Sequence, residues 1–436
     1  TNTAPAPAIT YTLNHFDDVP TTLATATEDA YATPLDELDV ANPKLFHHDV
    51  IFPYFERLRR EDPVHQVENK IYGKYWSITK YKDIMEIDTN HKQFSSESSL
   101  GGITIFGSPM GEREVLPMFI AMDPPKHDVQ RKTVTPMVSP ANLKFLEPLI
   151  RERAAKILDG LPIGVEFDWV DKVSMELTAM TLATLFDFPQ EHRRKLTRWS
   201  DVATAVPGAG VVDSLEQRQN ELNECFATFQ ELWNERSRTE GGNDLISMLA
   251  HGAETRNMPA HEYHGNVVLL IVGGNDTTRN TISGSVLALN QNPDQYAKLR
   301  DNPSLIPSMV SETIRWQTPL AHMRRTAVED VEFRGRKIRK GDKVVMWYIS
   351  GNRDDEVIEW PDHYIVDRAR PRQHISFGYG VHRCVGNRLA ELQLQVIWEE
   401  IMKRFPVIEV TGEPDRVYST FVRGYRTLPV RISKRH

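Results

Sequence analysis

The chain has 436 residues, of which 40% are hydrophobic and 26% are charged, and this is enough to bury a large apolar core. Its formal net charge of −8 argues against general binding to nucleic acids or anionic membranes, since both attract basic proteins. The two cysteines, Cys225 and Cys384, are too few for a disulfide framework, so we expect a protein of the reducing cytoplasm. The longest strongly apolar run, 267–272, has six residues against the roughly 20 that span a bilayer, and we expect no membrane span.

The sequence begins with a segment of loop-like composition. Residues 1–35 contain four prolines and few apolar repeats, so we expect an irregular tail. No basic stretch followed by an apolar one occurs there, and we therefore expect no leader peptide. Residues 36–436 carry neither internal repeats nor a low-complexity linker, which predicts a single domain.

Short periodic segments follow the tail. A helical pattern covers residues 52–61, and two extended segments, 64–67 and 75–78, flank a turn-forming stretch, which predicts a pair of strands. A further helix begins at Tyr81 and leads into a loop rich in Gly and Ser at 95–111.

The remainder reads as mainly helical with one small β region. Helical periodicity dominates residues 126–292, short β segments are predicted at 326–339 and 343–349, and a final helix is predicted at 386–405. A C-terminal hairpin is expected around residue 423. The fold class predicted is therefore mainly α with a small β region.

One predicted helix is unusually long. It runs for about 33 residues between Pro259, which suits a first turn, and Pro293, which ends a helix, so it would measure roughly 50 Å. Its centre reads Gly-Gly-Asn-Asp-Thr-Thr at 273–278, and these residues are poor helix formers.

That centre has a functional interpretation and a structural alternative. The Thr277 hydroxyl can bond to the carbonyl of Gly273, four residues earlier, and open the helix locally. Asp276 beside it would complete a proton route, and the glycines would leave room for a diatomic ligand. The alternative is a threonine that merely bonds to its own turn.

Residues 377–386 read Phe-Gly-Tyr-Gly-Val-His-Arg-Cys-Val-Gly. The glycines let backbone N–H groups approach the sulfur of Cys384, Phe377 can keep water away, and His382 and Arg383 can balance charge. A thiolate in such a setting can ligate haem iron. A lone cysteine is more often a small buried hydrophobe, but the ten-residue pattern favours the ligand, whereas Cys225 in its helical pattern is predicted to be packing.

The decapeptide resembles the cysteine-ligand loop of the cytochrome P-450 superfamily, with the pattern F-G-x-G-x-(H/R)-x-C-x-G. The resemblance implies the P-450 fold over about residues 40–436, haem b as the cofactor and Cys384 as its iron ligand. It also implies catalysis by Asp276 and Thr277, the acid and alcohol of these oxygenases. The cofactor-binding residues that it implies are His127, Arg131, Gly273, Arg325, His374, Phe377, Gly378, His382, Cys384 and Gly386.

Glu312 and Arg315 stand three residues apart on one helical face. Such a pair is usually a surface ion pair of little energetic weight. The segment is similar to the family's E-x-x-R pair, which implies a structural triad with a third arginine that supports the cysteine loop. Arg368 is the expected third member, and Arg370 is close enough to compete.

The predicted pocket is poor in charge, which suits an apolar substrate. Its predicted lining is Leu269, Leu270, Val272, Gly273, Leu320, Met323 and Phe421. Segments 269–280, 322–327 and 346–354 resemble the bacterial P-450s that hydroxylate terminal carbons of medium-chain alkanes and fatty acids. A terpene or sterol hydroxylase is the alternative, and a non-catalytic haem sensor or carrier is a remote one.

No flavin or iron–sulfur domain is recognisable in the sequence. The resemblance to soluble bacterial P-450s therefore implies that electrons come from a ferredoxin and an NAD(P)H-dependent ferredoxin reductase. Basic residues expected behind the haem, Lys132, Arg372, Arg383 and Arg388, would bind an acidic ferredoxin. We further expect a monomer in the cytoplasm.

Overall fold

The computed structural model describes residues 11–106 and 115–436. This part of the chain forms fifteen α-helices joined by short 3₁₀ turns and loops. The helices are α1 Leu23–Ala32, α2 Pro43–His47, α3 Phe52–Glu61, α4 Tyr81–Thr89, α5 Lys126–Val134, α6 Pro140–Asp159, α7 Met175–Phe186, α8 Arg193–Thr204, α9 Leu215–Arg236, α10 Leu245–His251, α11 Ala260–Gln291, α12 Pro293–Asp301, α13 Ile306–Gln317, α14 Tyr348–Gly351 and α15 Asn387–Arg404.

Twelve short strands occur in the same described residues. They are β1 Val64–Asn69, β2 Gly73–Ile78, β3 Phe94–Ser95, β4 Glu166–Asp168, β5 Met323–Ala327, β6 Val331–Phe333, β7 Arg336–Ile338, β8 Lys343–Met346, β9 Glu409–Val410, β10 Asp415–Arg416, β11 Tyr425–Thr427 and β12 Pro429–Arg431. The largest sheet has the order β1-β2-β8-β5-β3. The predicted strand pair is confirmed, since β1 and β2 are antiparallel with Val64 opposite Ile78.

The long predicted helix is confirmed as α11. It begins directly after Pro259 and has 32 residues, which corresponds to roughly 48 Å at 1.5 Å per residue. Most of its side chains are buried, and it packs against α7, α8, α13 and α15. Because it crosses the core, its centre at 273–278 lies inside the molecule.

The fold class is confirmed as mainly α with a small β region. Around residue 423, β10 pairs with β11 as the predicted hairpin. The strand predicted at 343–349 ends earlier, because α14 begins at Tyr348. Of the loop predicted at 95–111, residues 107–111 lie outside the described part of the chain. Cys225 is buried in the largest core cluster, as its helical pattern predicts.

The expectation of an irregular tail is wrong for residues 23–32. Helix α1 forms there because the Thr22 hydroxyl accepts the Thr25 N–H and caps its first turn. Ala26 and Ala30, spaced four apart, are buried, and Asp29 accepts the Tyr54 hydroxyl at 2.6 Å. Small alanines give little apolar signal, so the buried face was not visible in the sequence. Residues 1–10 of the expected tail lie outside the described part.

In the described ranges, none of the helices combines the length and apolar composition that crossing a membrane requires.

Candidate active site

A cavity of about 310 Å³ lies between α11, the loop before α15 and the last hairpin, within the range typical of small-molecule sites. Its wall is mostly apolar. Of the residues predicted for the site, those that line it are His127, Arg131, Leu269, Leu270, Val272, Gly273, Thr277, Leu320, Met323, Arg325, Phe377, Gly378, His382, Cys384, Gly386 and Phe421. Asp276 and His374 lie outside the lining.

The loop that carries Cys384 is held by its own backbone. The Cys384 N–H donates to the Phe377 carbonyl at 2.9 Å, which brings the two ends of the loop together. Gly380 has a φ of +75°, and a Cβ there would lie 2.9 Å from the Asp88 carbonyl oxygen, so this turn requires glycine.

The sulfur of Cys384 lies in a mixed environment. Burial raises the pKa of the Cys384 thiol, while the Gly386 N–H and the nearby Arg131 act in the opposite direction. The N–H contact and the cations are what a thiolate ligand needs. A Cβ at Gly386 would meet no atom within 4 Å, so this glycine is not required by packing against the protein.

Two histidines place unpaired polar atoms at the cavity. The rings of His127 and His382 are 4.2 Å apart, and burial lowers the pKa of both, to about 2 for His382. Among the described residues, Nε2 of His127 and both ring nitrogens of His382 have no hydrogen-bond partner. Buried polar atoms without partners are rare, and these fit a bound group that carries carboxylates, as haem does.

Arginines border the same region. Arg325 donates to Asp88 at 2.8 Å and is almost fully buried. Arg131 donates to the carbonyl of Arg383, the residue before Cys384. The two arginines can balance the charge of haem propionates, and the unpaired nitrogens of the two neutral histidines can hydrogen-bond to their oxygens, so the cavity residues fit this cofactor.

His374 lies beside the cavity lining. Its Nδ1 accepts the Ser376 N–H at 3.2 Å, and its ring packs on Phe377 at 5.4 Å. Burial and the nearby Arg315 lower its pKa to about 3. The structure thus brings His374 against a lining residue but not into the lining itself.

The centre of α11 opens onto the cavity. The Thr277 hydroxyl donates to the Gly273 carbonyl at 3.2 Å, which is the bond predicted from the sequence. A Cβ at Gly273 would meet no atom within 4 Å, whereas one at Gly274 would lie 2.8 Å from Leu182 Cδ1. Gly273 therefore gives the cavity space, while Gly274 is explained by packing against α7.

Asp276 points into a buried polar cluster. Its Oδ1 accepts from Ser200 at 2.7 Å and from Arg279 at 2.8 Å, and Arg279 also donates to Asp201 at 2.6 Å. Burial raises the pKa of Asp276 to about 6, against the opposing effect of Arg279. Asp201 is partly exposed, so the cluster extends from Asp276 towards solvent.

Ser200, Asp201 and Arg279 are functional residues that the sequence did not predict. Arg279 follows Asp276 by three residues on one helix, a spacing at which side chains meet, so its pairing was detectable. Ser200 and Asp201 lie on α8, more than seventy residues away in sequence, and no motif connects them to α11. Lining residues from 101–106 and 115–121 were missed for the same reason.

The triad is assembled in the core behind the cysteine loop. Glu312 accepts from Arg315 at 2.6 Å and from Arg368 at 2.7 Å. Arg315 also donates to the carbonyls of Asn352 and Pro361. The structure places Arg368, not the exposed Arg370, against Glu312.

The sequence profile of the cytochrome P450 family matches residues 167–427, which is more than half of the chain. Linalool 8-monooxygenase of Pseudomonas putida is 38% identical over 400 residues, covering 90% of this chain and 98% of that protein. The chain therefore belongs to the cytochrome P450 family. Its cofactor is haem b and it is a monooxygenase, as predicted.

Solved structures and other relatives agree with this assignment. Cytochrome P450-153 from Novosphingobium aromaticivorans has 46% sequence identity and a TM-score of 0.84, covering 90% of this chain and 99% of that chain. A methyl-branched lipid omega-hydroxylase of Mycobacterium tuberculosis is 29% identical and covers 91% of this chain and 96% of that protein. The predicted resemblance to bacterial P-450s is thereby confirmed.

Proposed function

We propose that this monooxygenase hydroxylates the terminal carbon of medium-chain alkanes or fatty acids, acting as a cytoplasmic monomer. The observation that carries the proposal is the apolar cavity above Cys384, whose wall includes Leu269, Leu320 and Phe421. The similarity to Cytochrome P450-153 and to an omega-hydroxylase supports it.

The residues have distinct roles in this proposal. Cys384 would ligate the haem iron, and His127, Arg131, Arg325 and His382 would hold the propionates. Bound haem with a thiolate ligand supplies the activation of dioxygen and the oxidation of a C–H bond.

The protein's own contribution to the chemistry is proton supply and positioning. Asp276, whose pKa burial raises to about 6, can hold a proton near neutral pH and pass it towards the Thr277 hydroxyl at the cavity surface. Gly273 keeps the adjacent space open. Leu320 and Phe421 exclude water and restrict which carbon of the substrate approaches the reacting centre.

Electrons are proposed to come from a ferredoxin, reduced by an NAD(P)H-dependent reductase, that docks beside the exposed Arg383. Two of the other expected docking cations, Arg372 and Arg388, are paired with Glu391 at 2.8 and 3.5 Å. The unpaired positive charge available for binding ferredoxin is therefore modest. With limiting ferredoxin, turnover should still slow as salt rises from 0.05 to 0.5 M, because exposed pairs are screened within ~10 Å at 0.1 M. A rate indifferent to salt would contradict this docking surface.

Terpene hydroxylation is the second candidate. The observation that favours it is the 38% identity to Linalool 8-monooxygenase. A cavity lined by aliphatic side chains can bind both linear and branched hydrocarbons, so the shape of the cavity must discriminate between the two substrate classes.

Product analysis tests the two candidates directly. The haem-loaded enzyme is supplied with ferredoxin, reductase and NAD(P)H, and octane, dodecanoic acid and linalool are compared by gas chromatography. We expect 1-octanol or the ω-hydroxy acid, with several neighbouring chain lengths accepted, since one methylene changes binding by only about 1–3 kcal/mol. The reaction without ferredoxin is the control. Turnover of linalool with no terminal product from either linear substrate would overturn the proposal in favour of the terpene.

A further inference from the structure

A fully buried histidine, His322, connects two separate segments of the cavity wall. Its Nε2 lies 3.1 Å from the backbone N of Ile105, and its Nδ1 lies 2.7 Å from the carbonyl oxygen of Thr420. An N–H can only donate and a carbonyl can only accept. These two partners therefore fix a neutral imidazole that carries its proton on Nδ1 and accepts at Nε2.

Each hydrogen bond is next to an aromatic residue of the cavity lining. Phe106 follows Ile105 in sequence and Phe421 follows Thr420, and both line the cavity. The His322 ring lies 6.1 Å from the Phe106 ring and 5.3 Å from the Phe421 ring, and it packs on Trp347 at 4.9 Å. The Phe106 and Phe421 rings meet edge to face at 6.3 Å.

Backbone contacts from residues 321 and 324, on either side of His322, also anchor the two segments. The Arg324 N–H donates to the Ile103 carbonyl at 2.7 Å, which anchors the first segment. The Ala321 N–H donates to the Phe421 carbonyl at 2.7 Å, which anchors the second. The His322 side chain bonds to both segments at once. Losing it should therefore loosen their spacing without unfolding either of them.

We propose that His322 is a positioning residue for regioselectivity, because it fixes the separation of Phe106 and Phe421 and so the shape of the cavity between them. Its neutral state agrees with this role, since burial lowers the pKa of His322 to about 3. The inference rests on the proposed function only in taking the terminal carbon as the favoured position.

The variants His322→Leu and His322→Gln distinguish the effect of the two hydrogen bonds from the effect of side-chain volume. Leucine removes both bonds, whereas the glutamine amide can donate to Thr420 and accept from Ile105. Ser285→Ala is the matched control, because Ser285 accepts the buried indole N–H of Trp398 at 2.8 Å and does not line the cavity.

Product positions and amide exchange are the two measurements. His322→Leu should lower the ratio of terminal to internal hydroxylation by about tenfold, corresponding to on the order of 1.4 kcal/mol of discrimination. It should also speed hydrogen exchange in 101–106 and 419–422. His322→Gln and Ser285→Ala should stay within about twofold of the wild-type ratio.

The outcomes distinguish this inference from the proposed function. If His322→Leu keeps the wild-type product ratio, or if Ser285→Ala changes the ratio as much, His322 has no specific positioning role. If the wild type oxidises only linalool, the proposed substrate class fails, and the same variants are then compared on the positional products of linalool. An unchanged product distribution there would overturn the inference as well.

Discussion

Around Cys384, polar and charged groups carried by recognisable sequence motifs contact one another, whereas the wall that contains Phe106, Leu320 and Phe421 is formed by apolar side chains that no motif connects. The first region is held by hydrogen bonds and buried ion pairs, such as those of Glu312. The second depends mainly on packing. Removing one partner of a buried ion pair leaves an uncompensated charge. Shortening an apolar side chain in the wall changes the shape of the cavity only gradually. We therefore expect abrupt losses in the first region and graded changes in the second.

The largest effect is expected for Cys384→Ala. Without the sulfur, the reduced protein under carbon monoxide should lose the red-shifted Soret band that is typical of thiolate haem, and hydroxylation should stop. Cys225→Ala is the matched control, because Cys225 lies in the core away from the cavity and its loss should leave the band unchanged. A normal band in Cys384→Ala would disprove the ligand assignment.

Arg368→Ala should cause the next largest loss. It leaves the fully buried Glu312 with one of its two cations, and breaking a buried pair costs about 3–5 kcal/mol. Thermal unfolding and haem content after purification measure the effect. Arg370→Ala, at an exposed position, should stay within about 0.5 kcal/mol of wild type, and equal losses in both variants would mean that Arg370 shares the role.

Asp276→Ala and Thr277→Ala should keep haem and substrate binding but divert electrons to peroxide. General acid–base groups contribute about 10²–10⁴-fold to rate, so product formation should fall by about 100-fold. The protonated fraction of wild-type Asp276 declines as pH rises above its pKa of about 6, and coupling of NAD(P)H use to product should decline over pH 6–8. Unchanged coupling in both variants would exclude this proton route.

Leu320→Ala should have the smallest effect, and it tests whether changes in the apolar wall are graded. The enlarged cavity admits internal carbons, so the ratio of terminal to internal product should fall by about fivefold, since small changes in a hydrophobic wall are worth about 1 kcal/mol. Gas chromatography of the products measures the ratio. Phe145→Ala, on the exposed surface of α6, is the control. A loss of all activity in Leu320→Ala would show that substitutions in this wall do not have graded effects.

The same contrast explains what the sequence could predict. The bond from Thr277 to Gly273 and the ion pair of Glu312 with Arg315 depend on helix spacing alone, and both are present in the structure. The choice of Arg368 over Arg370 depends on how an irregular segment folds, and the sequence left it open. The Asp201 contact of Arg279 needs α8 beside α11, a tertiary placement that no local pattern encodes. The predicted lining residues do line the cavity, but that prediction came from the family resemblance, because the apolar character of a residue does not tell which cavity it faces.

Of the two adjacent glycines of α11, Gly273 favours activity at the expense of stability. Glycine within a helix is less favourable than alanine by about 1 kcal/mol, and a Cβ at Gly273 would meet no protein atom, so Gly273→Ala should make the fold more stable while filling part of the active space. At Gly274 the same change would press on Leu182 and offers no such gain. Selection for activity, and not for folding, would then keep a glycine at position 273, and this position offers a route by which a descendant enzyme could become more stable and narrower in its substrates through one substitution.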